Sequence, residues 1–419
     1  MATYFRCNSA HMKPLLLTTL LSILSYTGYT QTISGTITDS KNEVLPFSSV
    51  VVKGTTQGAS ANSKGFYSIQ LQPGIYTLVC QYIGYKSEEK KVTVEKGKNS
   101  AIDFQLEPQQ YSLQDVTVNT NGEDPAYEII RKTISKRTQH LKEIKKFSAD
   151  VYLKGQMQLR DYPNRFFGQK VDFEDGDSSK RKMLFLSETI AKYSVEEPNK
   201  EKIEVVSTKV SGRSNAFGFS SPQIISFYNN TIQVGEDLNP RGFISPIASG
   251  ALSFYRYKFE GTFYENGVEI SRIKVIPRRK YEPLFQGYIN IIENEWRIHS
   301  LRLNLVREQQ MQFLDTLVVE QLYVPTGNLW VIKNQVIYPS GKIFGFDFFG
   351  SFVQVYDRFN LNPTFEKKYF NNTIIKVYDS ANKKTMAYWD SIRPLPLLKE
   401  EVLDYKKKDS LEQVRKDPK

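Results

Sequence analysis

Short runs of β-branched and aromatic residues, broken at regular intervals by turn residues, recur through most of this 419-residue chain. In residues 33–106 these runs alternate apolar and polar positions, and turn dipeptides such as Pro73-Gly74 separate them. Tyrosine (25) and phenylalanine (26) are as abundant as glycine (24), a composition that favours strands. We expect about seven strands in this region, packed as an antiparallel β-sandwich.

A helical pattern follows the sandwich, and a second series of strands follows the helix. Asp124 and Pro125 are typical of a helix start, and apolar residues then recur at helical spacing as far as Ile144, opposite a strongly basic face. The pair Asn266-Gly267 predicts a two-residue hairpin turn. Strand-like segments occupy residues 147–160, 182–195, 202–210, 253–262, 267–276, 284–293, 296–307, 317–323, 330–338 and 342–356. The chain is therefore predicted to be mainly β, with a helix and a large antiparallel, curved, half-barrel-like sheet behind the sandwich.

The first 30 residues have the pattern of an export signal. Lys13 precedes an apolar core at residues 15–24, which is too short to span a bilayer, and small residues allow cleavage before Gln31. Residues 1–11 are typical of an upstream start-site extension. The formal charge of +11 is spread along the chain without a concentrated basic face, which argues against nucleic acid as a partner.

No residue pattern predicts catalysis or a bound cofactor. After the signal only two histidines remain; we expect His140 to be solvated on the basic helix and His299 to share a strand face with Glu295. The acidic stretch DFEDGD at residues 172–177 could offer oxygen ligands to calcium, but it lacks EF-hand spacing, and we interpret it as a solvated loop. We therefore predict no catalytic, cofactor-binding or metal-binding residues.

Two sets of aromatic residues are candidates for ligand binding. The larger set falls on one face of the last predicted strand and would form either an acyl-binding wall or the core of the sheet packed against the helix: Phe344, Phe346, Phe348 and Phe352. The smaller set, Tyr82 and Tyr85, would stack on sugar rings if the two rings face solvent.

Several motifs of the first region resemble a known family. The strings VVVKGT, SKGFYSI, YIGYKS and LQDVTV resemble the carboxypeptidase-regulatory-like domain, which has a prealbumin-like sandwich fold. The same block is similar to the N-terminal extension of TonB-dependent outer-membrane transporters. The resemblance implies an exported sandwich and no peptidase activity.

The rest of the chain resembles an uncharacterised family of bacterial outer-membrane proteins. The strings that carry this resemblance are PAYEIIRKTI, FQGYINIIENEWRIHSL and YWDSIRPLPLLKEEVLDYKKKDSLEQVRK. In that family a regulatory-like sandwich and a middle β-domain precede a membrane barrel. The resemblance covers residues 33–415, and the sheet with its early helix also looks like the half-barrel of periplasmic lipoprotein carriers. Because the chain stops at Lys419, we expect a truncated gene, a fragment or a soluble paralogue without the barrel.

These resemblances predict a non-enzymatic, periplasm-facing part of an outer-membrane-associated protein that acts as a binding or adaptor module in envelope transport or assembly. The expected partners are envelope proteins and a glycan or lipid ligand. Two alternatives remain: a soluble periplasmic carbohydrate- or lipid-binding protein, and a hydrolase that uses carboxylates. The predicted segments are a signal (1–30), the sandwich (31–107), a linker (108–123), the helix and sheet (124–390) and a polar junction (391–419).

Overall fold

The structure is a computed structural model. It describes residues 31–112, 122–173, 178–213, 216, 218, 221–235 and 238–416. The predicted export signal and part of the predicted linker lie outside these residues.

The N-terminal region is a β-sandwich of two four-stranded sheets. Its strands are β1 (Gln31–Asp39), β2 (Ser49–Val52), β3 (Gly58–Ser60), β4 (Phe66–Leu71), β5 (Gly74–Gln81), β6 (Glu88–Val94), β7 (Ser100–Ala101) and β8 (Phe104–Leu106). One sheet joins β4, β1, β7 and β8, and the other has the order β3-β2-β5-β6. The mainly β class is confirmed, but strand β1 pairs in parallel with β7 and β8, so the sandwich is not purely antiparallel and has eight strands.

Strand β1 shows how the alternating sequence produces this packing. Its residues alternate between buried and half-buried along the whole strand, and Ile33 and Ile37 lie in the sandwich core. Gly35 faces the chain between β7 and β8, where a Cβ atom would lie 1.9 Å from the carbonyl oxygen of Ile102. Only glycine lets the two backbones approach this closely.

The second region is built on one open sheet of eleven strands. The strands are β9 (Lys146–Asp161), β12 (Lys182–Glu196), β13 (Lys200–Val210), β16 (Tyr255–Glu265), β17 (Val268–Pro277), β18 (Gln286–Ile292), β19 (Arg297–Val306), β20 (Thr316–Thr326), β21 (Leu329–Ile343), β22 (Phe346–Asn360) and β23 (Ile375–Val377). Their order in the sheet is β16-β17-β18-β19-β20-β21-β22-β9-β12-β13-β23, and all neighbours are antiparallel except β13 and β23. Each of the ten predicted strand segments overlaps a strand of this sheet, and the predicted hairpin turn at Asn266-Gly267 joins β16 to β17. The predicted segment 342–356 is interrupted by a turn at residues 344–345.

One face of the sheet, here called the inner face, is covered by helix α1 (Ala126–Lys142). The helix begins one residue later than the sequence predicts, with Pro125 as its N-cap, and Asp124 Oδ1 accepts the N–H of Ala126 over 2.9 Å. Ala126 and Ile130 are fully buried in the main core against inward-facing residues of the sheet. The predicted amphipathic helix is therefore confirmed, and its apolar face positions it on the sheet.

Short elements complete the cover of the sheet and its loops. They are the hairpins β10 (Arg165–Phe166) with β11 (Gln169–Lys170) and β14 (Thr231–Ile232) with β15 (Phe243–Ile244), helix α2 (Ala251–Phe254), and 3-10 turns at Arg307–Gln309 and Ala381–Lys383. Within the described residues, none of the helices combines the length and the apolar character needed to cross a membrane.

The opposite, outer face of the sheet is covered by the sandwich and by the C-terminal helices α3 (Met386–Ile392) and α4 (Lys399–Lys416). Phe47 of the sandwich and Trp389 of α3 share an apolar cluster with Val353 and Val355 of β22. Helix α4 is fixed by a buried ion pair in which Lys154 Nζ lies 2.5 Å from Glu401 Oε2. The segment from residue 391, assigned from sequence to a polar junction, is therefore helical and packed through most of its length.

Candidate functional site

A cavity of about 250 Å³ lies on the inner face of the sheet, beside the C-terminal end of helix α1. Most of its lining is apolar or aromatic, and Leu141 and Glu197 are exposed at its rim. The lining residues are His140, Leu141, Glu143, Ile144, Phe147, Tyr193, Val195, Glu197, Ile224, Ser226, Tyr228, Arg297, Ile298, Tyr323, Trp330, Val331, Ile332 and Phe359. Concave, mainly apolar sites with a few polar groups are typical of small-molecule binding.

The cavity is made by the curvature of the sheet. Its wall takes residues from six neighbouring strands, β19, β20, β21, β22, β9 and β12. These residues come alternately from the start and the end of the antiparallel strands, so all lie at one end of the sheet. Six flat strands would spread over roughly 24 Å at the usual spacing of neighbours. The sheet must therefore curl around the cavity, with helix α1 closing the open side.

A buried charged cluster forms the polar part of the wall. The guanidinium of Arg297 donates to both carboxylate oxygens of Glu143, over 2.8 and 3.2 Å. His140 Nδ1 lies 3.3 Å from Glu143 Oε2, and its Nε2 lies 2.9 Å from the backbone oxygen of Glu295. Burial opposes ionisation of Glu143, but the hydrogen bonds from His140 and the charge of Arg297 outweigh it and lower the pKa of Glu143. Glu143 and Arg297 therefore remain a charged pair at neutral pH.

Tyr228 adds a neutral polar group to the same wall. Its ring packs against His140 with centroids 5.6 Å apart, and burial raises the pKa of its hydroxyl well above the usual range. The hydroxyl accepts the backbone N–H of Ile298 over 2.9 Å, so its own proton is available for donation. The wall can thus hydrogen-bond a polar atom while its remaining surface contacts apolar groups.

Comparison with known proteins assigns both regions of the chain. The family of unknown function DUF5686 matches residues 129–359, which is more than half of the chain. The chain belongs to the DUF5686 family. A CarboxypepD_reg-like domain matches residues 33–118, as the motifs of the sandwich predict.

Individual relatives match smaller parts of this DUF5686 protein. TonB-dependent receptor P26 of Formosa agariphila is 40% identical over 90 residues, which are 22% of this chain and 8% of that receptor. TonB-dependent receptor P3 of the same organism is 27% identical over 150 residues, 35% of this chain and 15% of that receptor. The chain therefore spans less than a fifth of the length of these relatives.

Solved structures show only weak likeness to the DUF5686 protein. A DUF1329 family protein from Desulfovibrio piger aligns with 60% of this chain and 98% of its own, at 8% identity and a TM-score of 0.25. A LolA superfamily protein from Nitrosomonas europaea aligns with 59% of this chain and 97% of its own, at 10% identity and a TM-score of 0.21. At these values the alignments carry no argument about function.

Three of the phenylalanines proposed from sequence, Phe346, Phe348 and Phe352, share one face of β22 in the DUF5686 region, and Phe344 does not. Phe344 lies in the turn between β21 and β22 and is 76% exposed, because Phe344 and Gly345 take the left-handed conformation that closes this turn. Phe346, at the start of β22, is half-buried against Phe166. Phe348 packs on the edge of the main core, and Phe352 lies over Gly155. All four are remote from the cavity, toward the other end of the sheet.

The two tyrosines of the sandwich are partly buried. Tyr82 lies between the sandwich and the outer face of the sheet, where it hydrogen-bonds Arg302, and burial raises the pKa of its hydroxyl. Tyr85 packs against Tyr82, with ring centroids 5.5 Å apart, and against the sandwich core. The pair does not form a solvent-facing platform of the kind that stacks on sugars.

The histidines occupy different places from those expected. His140 is buried in the charged cluster, so the expectation that it is solvated is wrong; the helix turns it toward the sheet rather than the solvent. His299 approaches Glu265 of β16, with Nε2 3.2 Å from Oε2, rather than Glu295, which lies in a turn. The described residues hold no group of three or more potential metal ligands, and Glu174, Asp175 and Asp177 of the acidic stretch lie outside them.

Sequence reasoning missed the cavity because its lining comes from the helix, the segment 224–228 and the ends of six strands. One local signal was available. His140 and Glu143 are three positions apart near the end of an amphipathic helix, so they share a face of that helix. Their partner Arg297 lies 154 positions after Glu143, and no spacing rule connects it to them.

Proposed function

We propose that this protein is a non-enzymatic binding module of the bacterial cell envelope that holds a small amphipathic ligand, such as a medium-chain acyl compound with a polar head, in the inner-face cavity. The observation that carries the proposal is a largely apolar cavity of about 250 Å³ with a buried charged cluster in its wall. An apolar cavity of about 150 Å³ is enough to hold benzene. The present cavity therefore has room for a longer apolar chain.

The charged cluster supports a ligand with a defined orientation. The side chains of Arg297 and Glu143 are 8% and 15% exposed, and each already has a counter-charge. A ligand need not carry a strong charge of its own, since the hydroxyl of Tyr228 offers a hydrogen bond to a neutral or weakly acidic head. The aromatic rings of the wall, Phe147 and Tyr193 among them, would contact the apolar part.

The sandwich supports the adaptor part of the proposal, because it is attached rigidly to the sheet near the cavity. Lys333 of β21 is fully buried and donates to the backbone oxygen of Thr56 in the sandwich over 2.8 Å. Phe359, which lines the cavity, donates its N–H to Thr56 Oγ1 over 3.0 Å. A partner bound to the sandwich would therefore be held in a fixed position relative to the ligand.

An envelope location accords with the CarboxypepD_reg-like domain and with the similarity of 90 residues to a TonB-dependent receptor. Under this proposal the sandwich faces the periplasm and contacts outer-membrane proteins. Crosslinking in cells of the source bacterium, from a photoreactive residue placed at exposed Ile75 of the sandwich, tests this part. Adducts with outer-membrane proteins are expected, and crosslinks confined to cytoplasmic proteins would refute the location.

The ligand is tested by calorimetric titration with decanoate and decanol as probes. Val195→Trp would fill the cavity from its rim, and Val206→Trp, on the exposed side of the neighbouring strand, is the matched control. We expect binding with a negative heat-capacity change, at least about tenfold weaker in Val195→Trp and unchanged in Val206→Trp. Equal affinity in both variants, with both folded by circular dichroism, would show that the cavity is not the binding site.

A further inference from the structure

Three strongly exposed phenylalanines lie at the end of the sheet opposite the cavity. Phe167, Phe313 and Phe344 are 86%, 63% and 76% exposed. They occupy three separate loops, between β10 and β11, between β19 and β20, and between β21 and β22. Single exposed apolar residues are common on protein surfaces, but large apolar side chains gathered at one place mark an interaction site.

The three loops are close to one another. The ring of Phe166 lies 4.4 Å from that of Phe167 and 6.2 Å from that of Phe344, measured between centroids. The backbone oxygen of Phe313 lies beside Gly341, three residues before Phe344, where it would be 3.1 Å from an added Cβ. The three loops therefore lie together at one end of the sheet, and their exposed phenylalanines are called here the aromatic tip: Phe167, Phe313 and Phe344.

The tip places phenylalanine at backbone positions where a turn usually has a smaller residue. All three phenylalanines have left-handed φ angles, of 48°, 63° and 51° in chain order. A bulky side chain is disfavoured there, and asparagine or glycine is usual. The same protein uses Asn266, with φ 50°, before Gly267 in the β16–β17 turn, whereas Phe167 and Phe344 precede glycines in otherwise similar turns. Strain of this kind is commonly kept for function.

Three exposed cations lie in or beside the strands that lead to the tip. Arg165, Arg181 and Lys342 are exposed and, within the described ranges, have no carboxylate at ion-pair distance. Two other cations at this end have a carboxylate partner, since Arg160 lies 3.0 Å from Asp347 and Lys170 lies 3.5 Å from Asp172. Lys180 Nζ donates to the backbone oxygen of Tyr162 and to Asn164 Oδ1. Long basic side chains beside exposed aromatic rings are suited to a layer that has phosphate above and hydrocarbon below.

We infer that the aromatic tip inserts into the interfacial layer of a lipid bilayer with anionic headgroups, with Arg165, Arg181 and Lys342 contacting the phosphates. The three side chains are strongly exposed and belong to separate loops, an arrangement that suits a deformable lipid layer. Trp330 at the cavity and Ile343, next to Phe344 of the tip, are thirteen positions apart on β21, a distance of about 43 Å. The inference is therefore independent of the proposed ligand site.

The test measures vesicle binding of the whole chain, so that residues 1–30 contribute equally to every variant. Phe167→Asn, Phe313→Asn and Phe344→Asn remove the apolar side chains and place a residue that tolerates the left-handed backbone. We expect each substitution to weaken binding to vesicles of equal parts phosphatidylglycerol and phosphatidylcholine by roughly tenfold. Thermal stability should be unchanged or higher, which separates loss of lipid contact from loss of folding.

The control is Phe66→Asn, which removes a 40%-exposed phenylalanine from the sandwich. It should leave vesicle binding unchanged. A variant that combines Phe167→Asn, Phe313→Asn and Phe344→Asn completes the set. The inference would be overturned if this triple variant bound vesicles as well as the parent does, or if Phe66→Asn lost binding while the tip variants kept it. Capture of a protein from envelope extracts that depends on the tip, without vesicle binding, would also overturn it in favour of a protein partner.

The cations are tested separately. Replacing Arg165, Arg181 and Lys342 by glutamine should weaken binding to the anionic vesicles by roughly fivefold for each charge. It should leave the weaker binding to pure phosphatidylcholine unchanged. An equal loss on both lipids would contradict the proposed contact with anionic headgroups.

Discussion

The ion pair between Glu188 and Arg393 attaches the C-terminal segment to the outer face of the sheet, and its loss should be costly. Arg393 Nε lies 2.6 Å from Glu188 Oε1, and the second guanidinium contact, to Oε2, is 3.0 Å. The Tyr152 hydroxyl donates to the same carboxylate over 2.7 Å. The side chain of Glu188 is fully buried and that of Arg393 is 5% exposed, so water replaces neither partner.

Arg393→Met would leave the buried carboxylate without its counter-charge. Breaking a buried pair in this way costs about 3–5 kcal/mol. Because the hydrogen bond from Tyr152 remains, we expect a loss of about 3 kcal/mol in the free energy of unfolding. Glu188→Gln alone leaves Arg393 with Asp390, and the double variant removes both charges. The double variant Glu188→Gln/Arg393→Met should therefore be about 2 kcal/mol more stable than the sum of the two single losses in free energy of unfolding predicts.

Urea unfolding followed by tryptophan fluorescence measures these losses, since Trp389 is buried with the Arg393 guanidinium 5.6 Å from its ring. Arg358→Met is the matched control, because Arg358 contacts Asp150 over 2.7 Å but is 69% exposed. It should cost less than about 1 kcal/mol. Equal losses in Arg393→Met and Arg358→Met, or no coupling in the double variant, would refute the reasoning that burial makes the Glu188 pair decisive.

Three further changes test other parts of the structure. Lys333→Met should lower the free energy of unfolding by about 2–4 kcal/mol, since it removes the donor to the buried backbone oxygens of Thr56 and Tyr356 and the cation beside Asp357. The exposed substitution Lys342→Met should cost little in the same urea assay. Gly35→Ala should lower the free energy of unfolding by about 3 kcal/mol or more, because the added Cβ would lie 1.9 Å from the backbone oxygen of Ile102. A smaller loss, measured by calorimetry, would mean that the backbone around Ile102 can move away from β1. The pKa of Glu143 is lower in the folded protein than in the unfolded chain, where it is about 4.3. Its ionised form therefore stabilises the fold above about pH 4.3, and this stabilisation is lost as the pH falls through the folded-state pKa. The difference in the free energy of unfolding between the parent and Glu143→Gln should therefore shrink in acid. Urea unfolding at a series of acidic pH values measures this difference, with Glu197→Gln as the control. A stability difference between the parent and Glu143→Gln that grows on acidification would contradict the prediction.

The sequence determined the kind of structure because its signals are local. Alternation of apolar and polar residues specifies strands, and 3.6-residue periodicity specifies helix α1, over stretches that a linear pattern can record. The Asn266-Gly267 turn is equally local, since its backbone angles depend on those two residues. The same logic applied to residues 342–356 gave one continuous strand, because it took no account of Gly345 as a turn residue after Phe344.

The tertiary structure decided where chemistry is possible. The cavity exists only because six strands curl around the end of α1, and the pairing of Glu143 with Arg297 joins residues 154 positions apart. The aromatic tip likewise depends on three loops that meet only after the sheet has formed. The sequence by itself thus determined the strands, the helix and the family, since short-range backbone preferences and motifs carry that information. Only the folded sheet decided which side chains meet, because burial and ion pairing depend on distances in space and not along the chain.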